Sequence, residues 1–312
     1  TFNGKQLLDG SMNGAKFQVG ANANQVISFS IASAKGADLG TNRVVADGGA
    51  MQTAVAAAAT APASATTATS VVLAGTYNGT GFSETASFSA GSSAANIASS
   101  VNAYTGTTGV TATATTSAKL DTFSANGASS FSLNGTTIAA TVDSSDLTSV
   151  VAAINDKSSV TNITAELSDD KASVILTSFS GEDIVVADFA GPADGNTVDL
   201  TGLDADGAEV GAGQTLTTGA AATDSSRVSG YVVFDSTESF TATFSDNTVN
   251  NSAAATASAL EDVASLSIAS QSGANDALSV IDGALSKIDS IRGGLGAVQN
   301  RFESTIANLQ NV

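Results

Sequence analysis

From Leu278 onward the large apolar residues fall at Leu278, Ile281, Leu285, Ile288, Ile291, Leu295, Val298, Phe302, Ile306 and Leu309, each step being three or four residues. Nine steps cover 31 residues, a mean of about 3.4, close to the 3.5 that keeps a narrow seam facing a partner in a left-handed coiled coil. These spacings predict one long helix whose stripe needs something to pack on. No other segment of the chain has a matching period, and the pattern runs to Val312 without a stop at its end. The partner helix is therefore expected outside this stretch of sequence, or on another molecule. Gly293, Gly294 and Gly296 lie inside the pattern and together disfavour helix by about 3 kcal/mol relative to alanine. Either the backbone is approached closely or hinges there, or two helices meet at a short turn.

The rest of the chain reads as strands. Phe17 to Ser33 alternates Val26, Phe29 and Ile31 with polar neighbours around turn-forming Gly20 and Asn residues, the pattern of a strand or hairpin. Residues 50–68 are an Ala- and Thr-rich low-complexity stretch with Pro62 in it, read as a link at a boundary. A shift of 53 residues then superposes Ile97, Val101, Asn102 and Val110 on Val150, Ile154, Asn155 and Ile163, an internal repeat. Each copy reads as a short amphipathic helix between strand pairs, with Asn134-Gly135 a strong hairpin turn. Small β-β-α-β-β modules follow, each with a helix covering one sheet face. Ser229 to Ser245 is again strand-like. The expected architecture is α+β: 1–45 with 260–312 as a rod-like inner domain of coiled-coil-type helix plus β-hairpin, then mainly β outer modules at 50–128 and 129–198, and a variable β-rich return at 199–259.

Composition narrows the function. The chain has 312 residues, no Cys, no His and no Trp, and 5% aromatic residues. Without His or Cys there is no Ser-His-Asp triad, no Cys-His dyad, no thiolate or HExxH metal site and no disulfide. Gly211 and Gly213 lack the Lys-Ser/Thr of a phosphate loop. Acidic residues at Asp169-Asp170, Glu182-Asp183 and Asp204 to Glu209 read as solvated surface charge, and the last group lacks the full ligand spacing of a calcium loop. No catalytic residue, cofactor or metal is expected. The net charge is −18, and residues 50–259 hold 20 acidic against 4 basic groups. Nucleic acid and anionic membrane surfaces are thereby disfavoured as partners. No transmembrane run is present, and residues from Thr1 read as a loop before a strand rather than a signal peptide.

The two ends resemble bacterial flagellins. TFNGKQLLDGS (Thr1 to Ser11) with FQVGANANQVISFSI (Phe17 to Ile31) is similar to the segment that leaves the family's N-terminal helices and forms the hairpin of its inner domain. ALSVIDGALSKIDSIRGGLGAVQNRFESTIANLQNV (Ala277 to Val312) resembles the family's long C-terminal helix, and LGAVQNRFESTIANL is highly specific. The middle repeat is similar to the hook-and-flagellin insertion motif, with Ile154-Asn155 as its landmark. The resemblance implies a secreted structural subunit of the extracellular flagellum that self-assembles into a motility filament. It implies other flagellin copies, an export chaperone and a filament cap as partners, and in some relatives recognition by an innate immune receptor. It also implies that Leu278, Ile281, Leu285, Ile288, Leu295, Val298, Arg301, Phe302, Ile306 and Leu309 take part in subunit packing; a surface Arg bonded to an acidic neighbour is the plainer reading of Arg301. The rival expectation is a surface adhesin or glycan-binding module using the acidic β-rich middle.

Overall fold

The computed structural model describes residues 6–18, 26–220, 222–269 and 271–310, with side chains for all of these except 271–272 and 308–310. The turn at Gly20 and the side chain of Leu309 lie outside the described residues. The chain is α+β, mostly strand with one long C-terminal helix, and forms two compact units.

The first unit comprises residues 1–43, 235–239 and 259–312. Ala15–Gln18 and Val26–Phe29 pair antiparallel, Phe17 opposite Ile27. Ile27 and Ile31 are buried and share their strand face with Phe29, whereas Val26 is exposed. The alternation read from Val26 is therefore offset by one residue, which in a period of two moves a side chain to the other face. The start of Gly40–Ala46 pairs antiparallel with Ala259–Asp262, Gly40 opposite Asp262 and Arg43 opposite Ala259. Gln271–Gln310 is a single 40-residue helix, about 60 Å long at 1.5 Å per residue. It continues through Gly293, Gly294 and Gly296, where an added β-carbon would meet nothing within 4 Å. Within this chain those glycines mark neither a turn nor a close approach. The close approach is at Gly283, where a β-carbon would lie 2.9 Å from the Gly40 carbonyl oxygen and 3.0 Å from Thr41 Cβ.

The second unit comprises residues 44–234 and 240–258 and has two hydrophobic cores. One gathers Val71, Leu73, Ile97, Val101, Val110, Phe234 and Phe244 beneath the helix Ala94–Asn102. The other gathers Leu120, Leu133, Ile138, Leu147, Ile154, Ile163 and Leu176 beneath Thr148–Asn155. Thr111–Asp121 serves both: its buried residues alternate from Ala112 and Ala114 in the first core to Ala118 and Leu120 in the second, as a pleated strand requires. Both Asn-Gly hairpins, at Asn78-Gly79 and Asn134-Gly135, hold positive φ at the two central residues, the geometry whose twist matches paired strands.

The two repeats diverge after their helices. The first continues into the uninterrupted eleven-residue strand Thr111–Asp121, whereas the second turns back at Ser168 to Ser173 between strands Thr164–Leu167 and Val174–Ser178. Asp170 makes that turn by accepting from Ser168 Oγ and the Ala172 amide, which holds its carboxyl below the ordinary range. Residues 50–68, read as a link, are packed at both ends of the stretch. Met51, Gln52, Ala54, Thr66 and Ala68 are buried, and the Val55 and Ala58 amides donate to Arg227 and Ser225 carbonyls. Alanine is small enough to enter a core without leaving the pattern of large apolar residues that identifies one.

Candidate interaction face and repeat landmarks

The long helix is covered unevenly within the first unit. Near its start the buried residues are Ala277, Val280 and Ala284. They lie on the same face as Gly283, whose lack of a side chain lets the helix rest on the Gly40–Thr41 backbone. Leu278, Ile281 and Leu285 fall on the adjoining face and are 62%, 41% and 54% exposed. From Ile288 on, the helix turns its larger residues toward the hairpin: Ile288, Leu295, Val298 and Phe302 are half-buried. Phe302 meets the ring of Phe17 edge-on at 5.5 Å and that of Phe29 at 6.2 Å, and Phe17 stacks on Phe29 at 5.5 Å. Edge-to-face and offset-stacked rings are the preferred arrangements of aromatic pairs. Ile306, beyond them, is exposed. A cleft of about 420 Å³ separates hairpin and helix, walled by Phe29, Ile31, Ile291, Leu295 and Val298, with Lys287 and Arg301 on its lining. Arg301 is exposed. The single stripe read from the sequence is thus two: a half-covered one from Ile288 to Phe302, and an open one at Leu278, Ile281 and Leu285. Sequence reasoning passed over Ala277, Val280 and Ala284 because small residues carry little weight in an apolar pattern.

The landmark Asn of each repeat has a definite role. Asn155 ends its helix and reaches back across the following turn: its Nδ2 donates to the Ala165 carbonyl at 2.9 Å, and its Oδ1 accepts from the Ala165 amide at 2.8 Å. Asn102 does the same to Ala112, at 2.8 and 2.7 Å. The turn between is also repeated: Thr108 and Thr161 donate to carbonyls four residues back, and Gly109 and Asn162 hold positive φ. The side-chain amide thus stands in for a strand neighbour, filling both backbone groups of one residue at the strand's start. Asn155→Ala is expected to destabilise the second unit by about 1–3 kcal/mol by leaving both groups without their partner. Asn155→Asp is expected to do no better at neutral pH, because it replaces the donor with an oxygen facing the Ala165 carbonyl. Urea unfolding of the three proteins checks both.

The acidic residues singled out earlier do not converge. Asp183 is buried and pairs with Arg227 Nη1 at 2.6 Å, so it is not solvated surface charge; burial of a carboxylate requires such a partner. Asp204 Oδ1 accepts from the Asp206 and Ala208 amides of its own turn. Glu209 pairs with Lys119, which also holds Asp121 at 2.7 Å. Among the described residues, no three Asp or Glu side chains are placed to hold a metal ion. No described helix is long and apolar enough to cross a membrane.

This geometry defines a class: an α+β protein with a long helix that the described residues cover only in part, and a β-rich unit built on a duplicated helix–turn–strand motif. Comparison with known proteins makes the class specific. Residues 278–312 match the bacterial flagellin C-terminal helical region, and residues 76–126 match the flagellin hook IN motif. The second match falls on the first repeat, around Asn102, rather than on Ile154-Asn155. The B-type flagellin of Pseudomonas aeruginosa is 34% identical over 146 residues, which cover 46% of this chain and 29% of that protein. Flagellin B of Vibrio cholerae is 48% identical over 50 residues, 16% of this chain and 13% of the relative. Flagellin E of the same species is 54% identical over 52 residues, 17% of this chain and 14% of the relative. The matched stretches span less than a third of these relatives' own length. Over these stretches the chain is similar to bacterial flagellins.

Proposed function

We propose that this chain is part of a structural subunit of the flagellar filament, exported and assembled outside the cell. The observation that carries this reading is the open stripe at Leu278, Ile281 and Leu285, inside the stretch that matches the flagellin C-terminal helical region. Three large apolar side chains aligned on one helix face are costly to leave in water, and each contributes about 1.5–3 kcal/mol when fully buried. In the proposed subunit, 1–45 and 260–312 belong to a rod-like inner domain. The open stripe takes a coiled-coil partner helix there, and Ile288, Leu295, Val298, Arg301, Phe302, Ile306 and Leu309 extend the packing surface. The modules between 50 and 259 project outward, and their excess of acidic groups keeps neighbouring copies soluble. Contacts between copies are heterologous, so they propagate into an open helical array. An export chaperone and a filament cap belong to the same reading, as does recognition by an innate immune receptor in some relatives.

Electron microscopy of the full-length protein containing this chain tests the proposal. Regular filaments are expected from the unaltered protein, and persistent monomers from Leu278→Glu combined with Leu285→Glu, with the β-rich unit still folded by circular dichroism. An unaltered protein that never polymerises, or a doubly charged variant that polymerises normally, would sink it.

A further inference from the structure

We propose that Arg43, Asp235 and Asp276 form an acid-strengthened latch, which holds the start of the long helix against its strands more firmly as pH falls from neutral into the mildly acidic range. Arg43 gives its best geometry to Asp235: Nε lies 2.8 Å from Oδ1 and Nη2 3.1 Å from Oδ2, a bidentate pair with both side chains about 10% exposed. Asp276, on the helix, receives one contact, from Nη1 at 3.1 Å, and is half-exposed. Two carboxylates therefore share one guanidinium. Because the cation is already engaged by a bidentate partner, Asp276 meets a shared positive charge rather than a free one. Glu261, from the strand opposite, also acts on Arg43 and adds to the negative excess.

The local balance agrees with that geometry. Burial raises the Asp276 carboxyl above its ordinary value; Arg43 opposes that rise without cancelling it, and the charge of Asp235 adds to it. A carboxyl raised in the folded state binds its proton there more readily than in the detached state. Its stabilisation is fully present below the ordinary carboxylate range and is lost as pH rises through the raised value. Ionised Asp276 thus opposes docking, although it sits in an ion pair. The position matters because the buried Ala277, Val280 and Ala284 follow directly, with Gly283 resting on the Gly40 carbonyl.

Two measurements on the full chain test the latch. The side-chain carboxyl of Asp276, followed by carbon NMR, is expected to titrate above about 4, the value of a free Asp; a midpoint at or below it would overturn the proposal. Hydrogen exchange of amides 277–285, corrected for the intrinsic pH dependence, should slow between neutral pH and pH 4.5. In Asp276→Asn the slower exchange should already be present at neutral pH and should no longer depend on pH. Faster exchange on acidification, or in Asp276→Asn at neutral pH, would show that the ionised pair fastens the helix and would refute the latch.

Discussion

Gly202→Ala is expected to destabilise the β-rich unit by about 3 kcal/mol or more, an unusually large effect for one methyl group. A β-carbon at residue 202 would lie 1.6 Å from the Gln52 carbonyl oxygen and 2.8 Å from its carbonyl carbon. Overpacking is usually relieved by a rotamer change at a cost of about 1–3 kcal/mol, but here the obstacle is backbone. That backbone is held on both sides, because the Met51 amide donates to the Thr248 carbonyl and the Val55 amide to that of Arg227. Gly202 is itself paired with Ala118 and Val210. Either strand Thr197–Leu203 leaves its register or the 50–55 segment lifts off the core. The midpoint of urea unfolding should fall well below that of the unaltered chain; a loss under about 1 kcal/mol would show that the segment is not seated on Gly202.

Ile154→Ala should cost about 2–5 kcal/mol, the range for emptying a fully buried aliphatic site. Ile154 has no exposed surface and sits among Leu147, Val150 and Ile163 in the second core. Leu278→Ala, which deletes a comparable side chain from the open face of the long helix, should change the chain's own stability by no more than about 0.5 kcal/mol. Urea unfolding of the two variants separates an apolar residue that holds this chain together from one available to a partner. A large loss from Leu278→Ala would place that residue in the chain's own packing and remove the main support for an open interaction face.

That contrast also shows how far the sequence could be read. Ile154 and Leu278 both belong to regular apolar patterns, and pattern alone assigns both to a packed surface. Periodicity reports that a helix has an apolar face; it does not report what covers it. The long helix, the Asn134-Gly135 hairpin and the 53-residue repeat were legible because each has a local cause: helical spacing, a two-residue turn with positive φ, and duplication. The burial of Met51, Gln52 and Ala54, the contact of Gly283 with Gly40 and the Arg43 cluster were not. Each depends on residues distant in sequence, and each involves small or polar side chains that hydrophobic patterns pass over. Asn102 and Asn155 fall between these cases. The repeat pointed to them as landmarks, but their role appears only once the strand ten residues on is seen returning to the helix end.

Those two asparagines bear on how such a region can evolve. A strand inserted into an existing protein usually brings unpaired backbone groups that its new neighbours must accommodate. In each repeat, the backbone groups at the point of entry into the strand are satisfied by a side chain only ten positions earlier. The motif therefore satisfies the start of its own strand and can be duplicated as a cassette, with the host chain left to supply little more than somewhere to attach it.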